Sequence, residues 1–145
     1  MCSNTTPAIT DNANELIRDL HDNPDIIQPY NAELVAKCAQ QINVLYDENV
    51  ITLTELAAGA CRDQERSMTM VRVRQSAIDR IKRCCCTYIV ERMNRLRHLR
   101  WRSGAVLSDE VKKNLSKEEL KWFSKYNEII FKFQSGFGEN GLIIC

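Results

Sequence analysis

The sequence predicts an all-α protein, a helical bundle built around one long central helix at about residues 70–102. Three observations carry this. Only three prolines and five glycines occur among 145 residues, too few for a sheet protein with many turns. Neither occurs between Met70 and Arg102. Apolar residues recur at intervals of three and four, the period of a helix with one buried side.

Residues 1–11 read as a flexible lead-in, 12–136 as one helical domain and 137–145 as the start of a linker. Asp11 or Asn12 can cap a first helix carrying Leu16, Ile17 and Leu20. Asn23-Pro24 ends it, because proline disfavours helix in the residue before it and has no amide to donate. Asn31 is an N-cap for a second helix, in which Leu34, Cys38, Ile42 (or Gln41) and Leu45 share one side. From Val50 to Leu56 apolar residues alternate with threonine as in a strand. No second strand is there to pair with it, so residues 50–68 read as loop with a helical turn.

The long helix carries Ile78, Ile81, Cys85, Tyr88, Ile89, Met93, Leu96 and Leu99 on a seam, with Trp101 near its end and Gly104 where a stop belongs. At about 1.5 Å per residue it would span roughly 50 Å, well beyond the ~13 Å radius of gyration of a compact 100-residue domain. Part of its apolar side therefore needs another chain. Ser108 can start a short turn. Ser116-Lys117-Glu118-Glu119 matches the capping box, in which the serine oxygen and the glutamate each satisfy an unpaired amide. The last helix presents Leu120, Phe123, Tyr126, Ile130 and Phe133 before Gly136 and Gly138.

Net charge is +1, but unevenly distributed. Residues 62–102 hold twelve Lys/Arg against four Asp/Glu, while the rest of the chain is acidic. Arg80, Arg83, Arg95 and Arg97 lie largely off the apolar seam and are candidate contacts to phosphate or to an acidic partner. A basic-helix nucleic-acid binder is the alternative reading. A zipper-type basic region, however, precedes its apolar heptads, whereas here the basic stretch contains the seam.

The sequence offers no active site. Metal sites need ligands that converge, and Cys84, Cys85 and Cys86 point about 100° apart around a helix. The only histidines are His21 and His98. There is no glycine-rich phosphate loop and no paired nucleophile and base, so no cofactor, metal or enzymatic activity is expected. With no signal peptide or membrane span legible, the expectation is an intracellular protein with reduced thiols.

Several stretches resemble a known family. Glu15-Leu16-Ile17-Arg18-Asp19-Leu20 precedes a proline-containing loop, and the next helix reaches Leu45-Tyr46-Asp47-Glu48-Asn49. Ile81-Lys82-Arg83-Cys84-Cys85-Cys86 leads to Leu96-Arg97-His98-Leu99-Arg100-Trp101. Then come Glu118-Glu119-Leu120-Lys121-Trp122-Phe123 and Gly138-Glu139-Asn140-Gly141-Leu142. In order and spacing these resemble the first-subunit (partner-of-Sld-five) family of the GINS complex, over residues 13–145.

The resemblance implies a helical A-domain in a nuclear heterotetramer with three other GINS subunits, packed chiefly against the Sld-five-type subunit. It further implies a structural role in the eukaryotic replicative helicase, in initiation and elongation of DNA replication. The wider partners would be the minichromosome-maintenance helicase, its RecJ-like cofactor and the leading-strand polymerase. Family members continue into a small β-rich B-domain, and this sequence stops at Cys145, before it. The sequence reads as a fragment or an unusual short form, with the fragment favoured, and such a piece is expected to complete the tetramer without the B-domain's outside contacts.

Overall fold

The computed structural model describes residues 9–137. Five helices follow one another: α1 (Asp11–Asp22), α2 (Ala32–Ala57), α3 (Gln64–Ser103), α4 (Asp109–Lys113) and α5 (Lys117–Ser135). No strand occurs among the described residues. The all-α prediction holds, and the long central helix is 40 residues, longer at its start than expected. The 1–11 lead-in and the 137–145 linker fall mostly outside the described residues, as does Gly138 to Leu142.

Where the sequence reads as one domain over 12–136, the chain divides into two compact units. The first is Met1–Pro24 with Asn31–Val90, and the second is Asp25–Tyr30 with Glu91–Cys145. α3 therefore contributes to both.

In the first unit, Ala13, Leu16 and Leu20 are the buried apolar side chains of α1, Leu34, Cys38 and Leu45 those of α2, and Ile78, Ile81 and Tyr88 those of α3. Leu16, Cys38 and Ile81 are fully inaccessible. Polar anchors fix the pairing of α2 with α3. The Asn31 backbone amide donates to the Tyr88 hydroxyl (3.0 Å), and Asn49 Nδ2 donates to the Val71 carbonyl (3.3 Å). Arg74 pairs with Glu48 (2.9 Å) and donates to Thr52 Oγ1 (3.1 Å). These contacts run in opposite directions along the two helices, so α2 and α3 are antiparallel. Arg80 donates to Asn14 Oδ1 of α1 (3.0 Å).

Residues 50–68 correct the sequence reading. α2 continues to Ala57, and α3 has begun by Gln64. The alternating threonines suit a helix because their hydroxyls donate back one turn, Thr52 to the Glu48 carbonyl and Thr54 to the Val50 carbonyl. The stop is a Schellman motif. The Ala60 amide donates to the Glu55 carbonyl and the Gly59 amide to the Leu56 carbonyl, with Gly59 at φ +68°. Asp63 then caps α3, its Oδ1 accepting from the Arg66 amide (2.9 Å).

The other caps match their sequence signals more closely. Asn31 accepts from the Leu34 amide (3.1 Å), and Ser116 and Glu119 form both halves of the capping box. α1 differs: its N-cap is Thr10, with no side-chain capping bond, and Asp11 is the first helical residue.

Candidate assembly surface

The second unit is organised by Arg92, which is 2% exposed. Its Nε and one terminal nitrogen form a fork onto Glu119, at 2.6 and 3.1 Å, and Glu119 is 6% exposed. The same guanidinium donates to the Gln28 carbonyl (2.6 Å) and the Asn114 carbonyl (3.0 Å). It also lies over the Tyr30 ring, 5.4 Å from the centroid. A buried guanidinium is tolerable only with this density of acceptors. Glu119 is in turn the capping-box residue of α5, accepting from the Ser116 amide (2.9 Å). Asn114 closes the circle: its side chain donates to the Ile27 carbonyl and its carbonyl accepts from the Tyr30 amide, both at 2.9 Å. One arginine thus ties segment 25–30, the end of α3, the α4–α5 turn and the start of α5.

Around this network Leu96, Leu107 and Phe123 form the apolar core, with Ile27, Leu99, Val111, Leu115 and Trp122 packed against it. Gly104, at φ +91°, reverses the chain after α3, a backbone angle that suits glycine. Arg100 donates to Asn127 Oδ1 (2.6 Å), and Asn127 Nδ2 donates to the Ala105 carbonyl (3.2 Å).

The nine candidate interface residues separate by burial. Ile78, Ile81, Tyr88 and Leu96 are 0–2% exposed within this chain alone, so they present almost no surface to a partner. Cys85, Met93 and Leu99 are partly buried, and Ile89 and Trp101 are exposed. The seam period identifies the side of α3 that is buried, but this chain's own packing already covers four of its residues. Among the candidate basic contacts, Arg83 is exposed. Arg80 is bonded to Asn14, Arg95 to the Ile26 carbonyl (3.0 Å) and Glu91 (3.3 Å), and Arg97 to Asn94.

Apolar surface is left open elsewhere. On α5, Phe123 and Ile130 turn inward, whereas Trp122, Tyr126, Ile129 and Phe133 lie on a second side at intervals of four, three and four. Ile129 and Phe133 are more than half exposed, and Phe137 beyond the helix end meets Phe133 edge-on at 4.9 Å. Trp122 and Tyr126 stack at 5.2 Å, and Trp101 Nε1 donates to the Tyr126 hydroxyl (2.9 Å). In the first unit, α2 exposes Val44, Tyr46, Val50, Ile51 and Leu53. Apolar side chains clustered in this way mark contact surfaces more often than solvated ones.

Sequence reasoning missed Arg92 and the outer side of α5. For Arg92 the only local signal is a basic residue on the apolar side of the seam, and its acceptors lie 22 to 64 residues away. For α5, the run of apolar residues merges two sides that differ by about 80° around the helix, under a quarter of a turn.

Two thiols are held unusually. Burial pushes Cys85 up to about 12, reinforced by neighbouring Cys38, Cys84 and Cys86. Burial likewise raises Cys38, with Cys85 close by. Among the described residues no group of three or more His, Cys, Asp or Glu could hold a metal ion. No described helix is long and apolar enough to cross a membrane.

The family described as Sld5, GINS complex protein helical bundle domain, matches residues 11–138. A Caenorhabditis briggsae protein named probable DNA replication complex GINS protein PSF1 is 34% identical over 92% of this chain and 65% of its own length. The human DNA replication complex GINS protein PSF1 is 29% identical, over 91% of this chain and 67% of its own. A Dictyostelium discoideum protein, named as the worm protein is, is 32% identical over 89% and 66%. The chain thus spans about two thirds of the length of the curated relatives it matches. A helical bundle without strands, matched almost end to end by that family, places the chain in the GINS helical-bundle family.

Proposed function

We propose that this chain is a structural subunit of a DNA replication complex of the GINS type, acting by protein–protein assembly rather than catalysis. The observation that carries the reading is the open apolar side of α5, in a chain whose relatives are named DNA replication complex GINS proteins. Buried Arg92 keeps the second unit rigid enough to present that side in one geometry.

In this reading the partners are three other GINS subunits, the Sld-five-type subunit most directly. The assembly serves the replicative helicase in the nucleus, during initiation and elongation. The minichromosome-maintenance helicase, its RecJ-like cofactor and the leading-strand polymerase are the outer partners. The candidate contacts within the tetramer are the exposed residues of the seam, Ile89 and Trp101, together with Ile129 and Phe133.

The test is mass by light scattering, for this chain alone and co-expressed with the other three subunits. A single 1:1:1:1 species supports the reading. A stable monomer that ignores those partners overturns it.

A further inference from the structure

We propose that Cys38 of α2 and Cys85 of α3 are a disulfide-forming pair, a covalent modification site that staples these two helices when a thiol oxidant is present. The placement follows from the antiparallel pairing. Asn31 meets Tyr88 near one end, while Asn49 meets Val71 and Glu48 meets Arg74 further along. Counting inward from these anchors sets Cys38 opposite residues 81 to 84, one to four residues from Cys85, which lies on the buried seam of α3. The two side chains lie close enough for each to bear on the other's titration. Cys38 is fully buried and Cys85 only partly so, which makes Cys85 the thiol that an oxidant reaches first and Cys38 the one that resolves the adduct. Cys86 is exposed and Cys84 is turned about 100° around the helix from Cys85, so Cys85 is the thiol on the seam that faces α2.

The chemistry balances with an oxidant of the diazene class. One thiolate adds to the N=N bond, and the second attacks the sulfur of that adduct. Two S–H bonds break, one S–S bond forms, and two electrons and two protons leave on the reagent as a hydrazine. The ring so closed encloses the α2–α3 connection with Gly59, so the oxidised chain loses freedom chiefly in its unfolded state.

Cys38 and Cys61 share one tryptic peptide, and Cys84, Cys85 and Cys86 share another. The experiment therefore treats the full chain carrying Cys61→Ser, Cys84→Ser and Cys86→Ser with diamide, then alkylates, digests and weighs the peptides. The expected result is an intrachain link between the two peptides, reversed by dithiothreitol, with a higher unfolding temperature before reduction. Adding Cys38→Ser should abolish the link. Fragmentation of the linked peptides from the wild-type chain gives the same assignment should the variant fail to fold. The proposal is overturned if Cys38 and Cys85 both alkylate fully after diamide and denaturation, or if wild-type links map only to Cys61, Cys84 or Cys86.

Discussion

Arg92 and Glu119 illustrate what a buried pair does at the scale of single residues. Removing one partner leaves the other charged, desolvated and unanswered, which costs about 3–5 kcal/mol. Arg92→Met and Glu119→Gln should each lower the denaturant midpoint strongly, whereas the double variant should lose less than the two losses added. Urea unfolding of the three variants as a double-mutant cycle checks this, and simple additivity would mean that the fork carries no coupling. Arg92→Lys should not rescue, because an ammonium cannot reach Glu119 and the two backbone carbonyls with a planar fork. Cys85 gives a pH prediction. Its ordinary value is 9.0, and the folded chain pushes it up to about 12. Between these values the unfolded thiol has lost its proton while the folded one keeps it, so this group's contribution to stability falls as pH rises from about 9 to 12. Thermal melts of wild type and Cys85→Ala across that range should converge.

Helices and their ends were legible in proportion to how locally they are encoded. The Ser116–Glu119 capping box and the Asn31 cap are written within four residues, and the structure has both. Residues 50–57 were not legible. Threonine alternation matches a strand period, and only the back-bonds of Thr52 and Thr54, with Arg74 reaching across from α3, make the helix the better state. The stop is written locally in Gly59, whose positive φ ends α2. Nothing lies within 4 Å of a Cβ built at Gly59, so Gly59→Ala meets only the cost of a left-handed backbone, roughly 1–2 kcal/mol. A thermal shift of a few degrees downward is expected, and no shift would mean that the Schellman geometry does not stabilise α2.

For the whole molecule, the periodicity of α3 told which side is covered without telling by what. Tyr88 shows the consequence: its hydroxyl accepts from Asn31, and the ring is 2% exposed. A charge there should unfold the chain itself, so a lost complex would say nothing about the interface. Phe133→Asp is the discriminating change, since that ring is 53% exposed and its replacement leaves the core untouched. The expected outcome is an unchanged melting temperature together with loss of co-purification with the other GINS-type subunits. Retention of the complex would move the contact to another surface.

The segment Asp25–Tyr30 precedes α2 in the chain yet belongs to the second unit, where Gln28 and Tyr30 meet Arg92 and Asn114. During synthesis Gln28 leaves the ribosome roughly 90 residues before Glu119 exists to complete the network that receives it. At about 5–20 residues per second, that is a wait on the order of 5–20 s. α1 is complete when it begins and α2 about a third of the way through it, and the short stretch between them waits for the rest of its network.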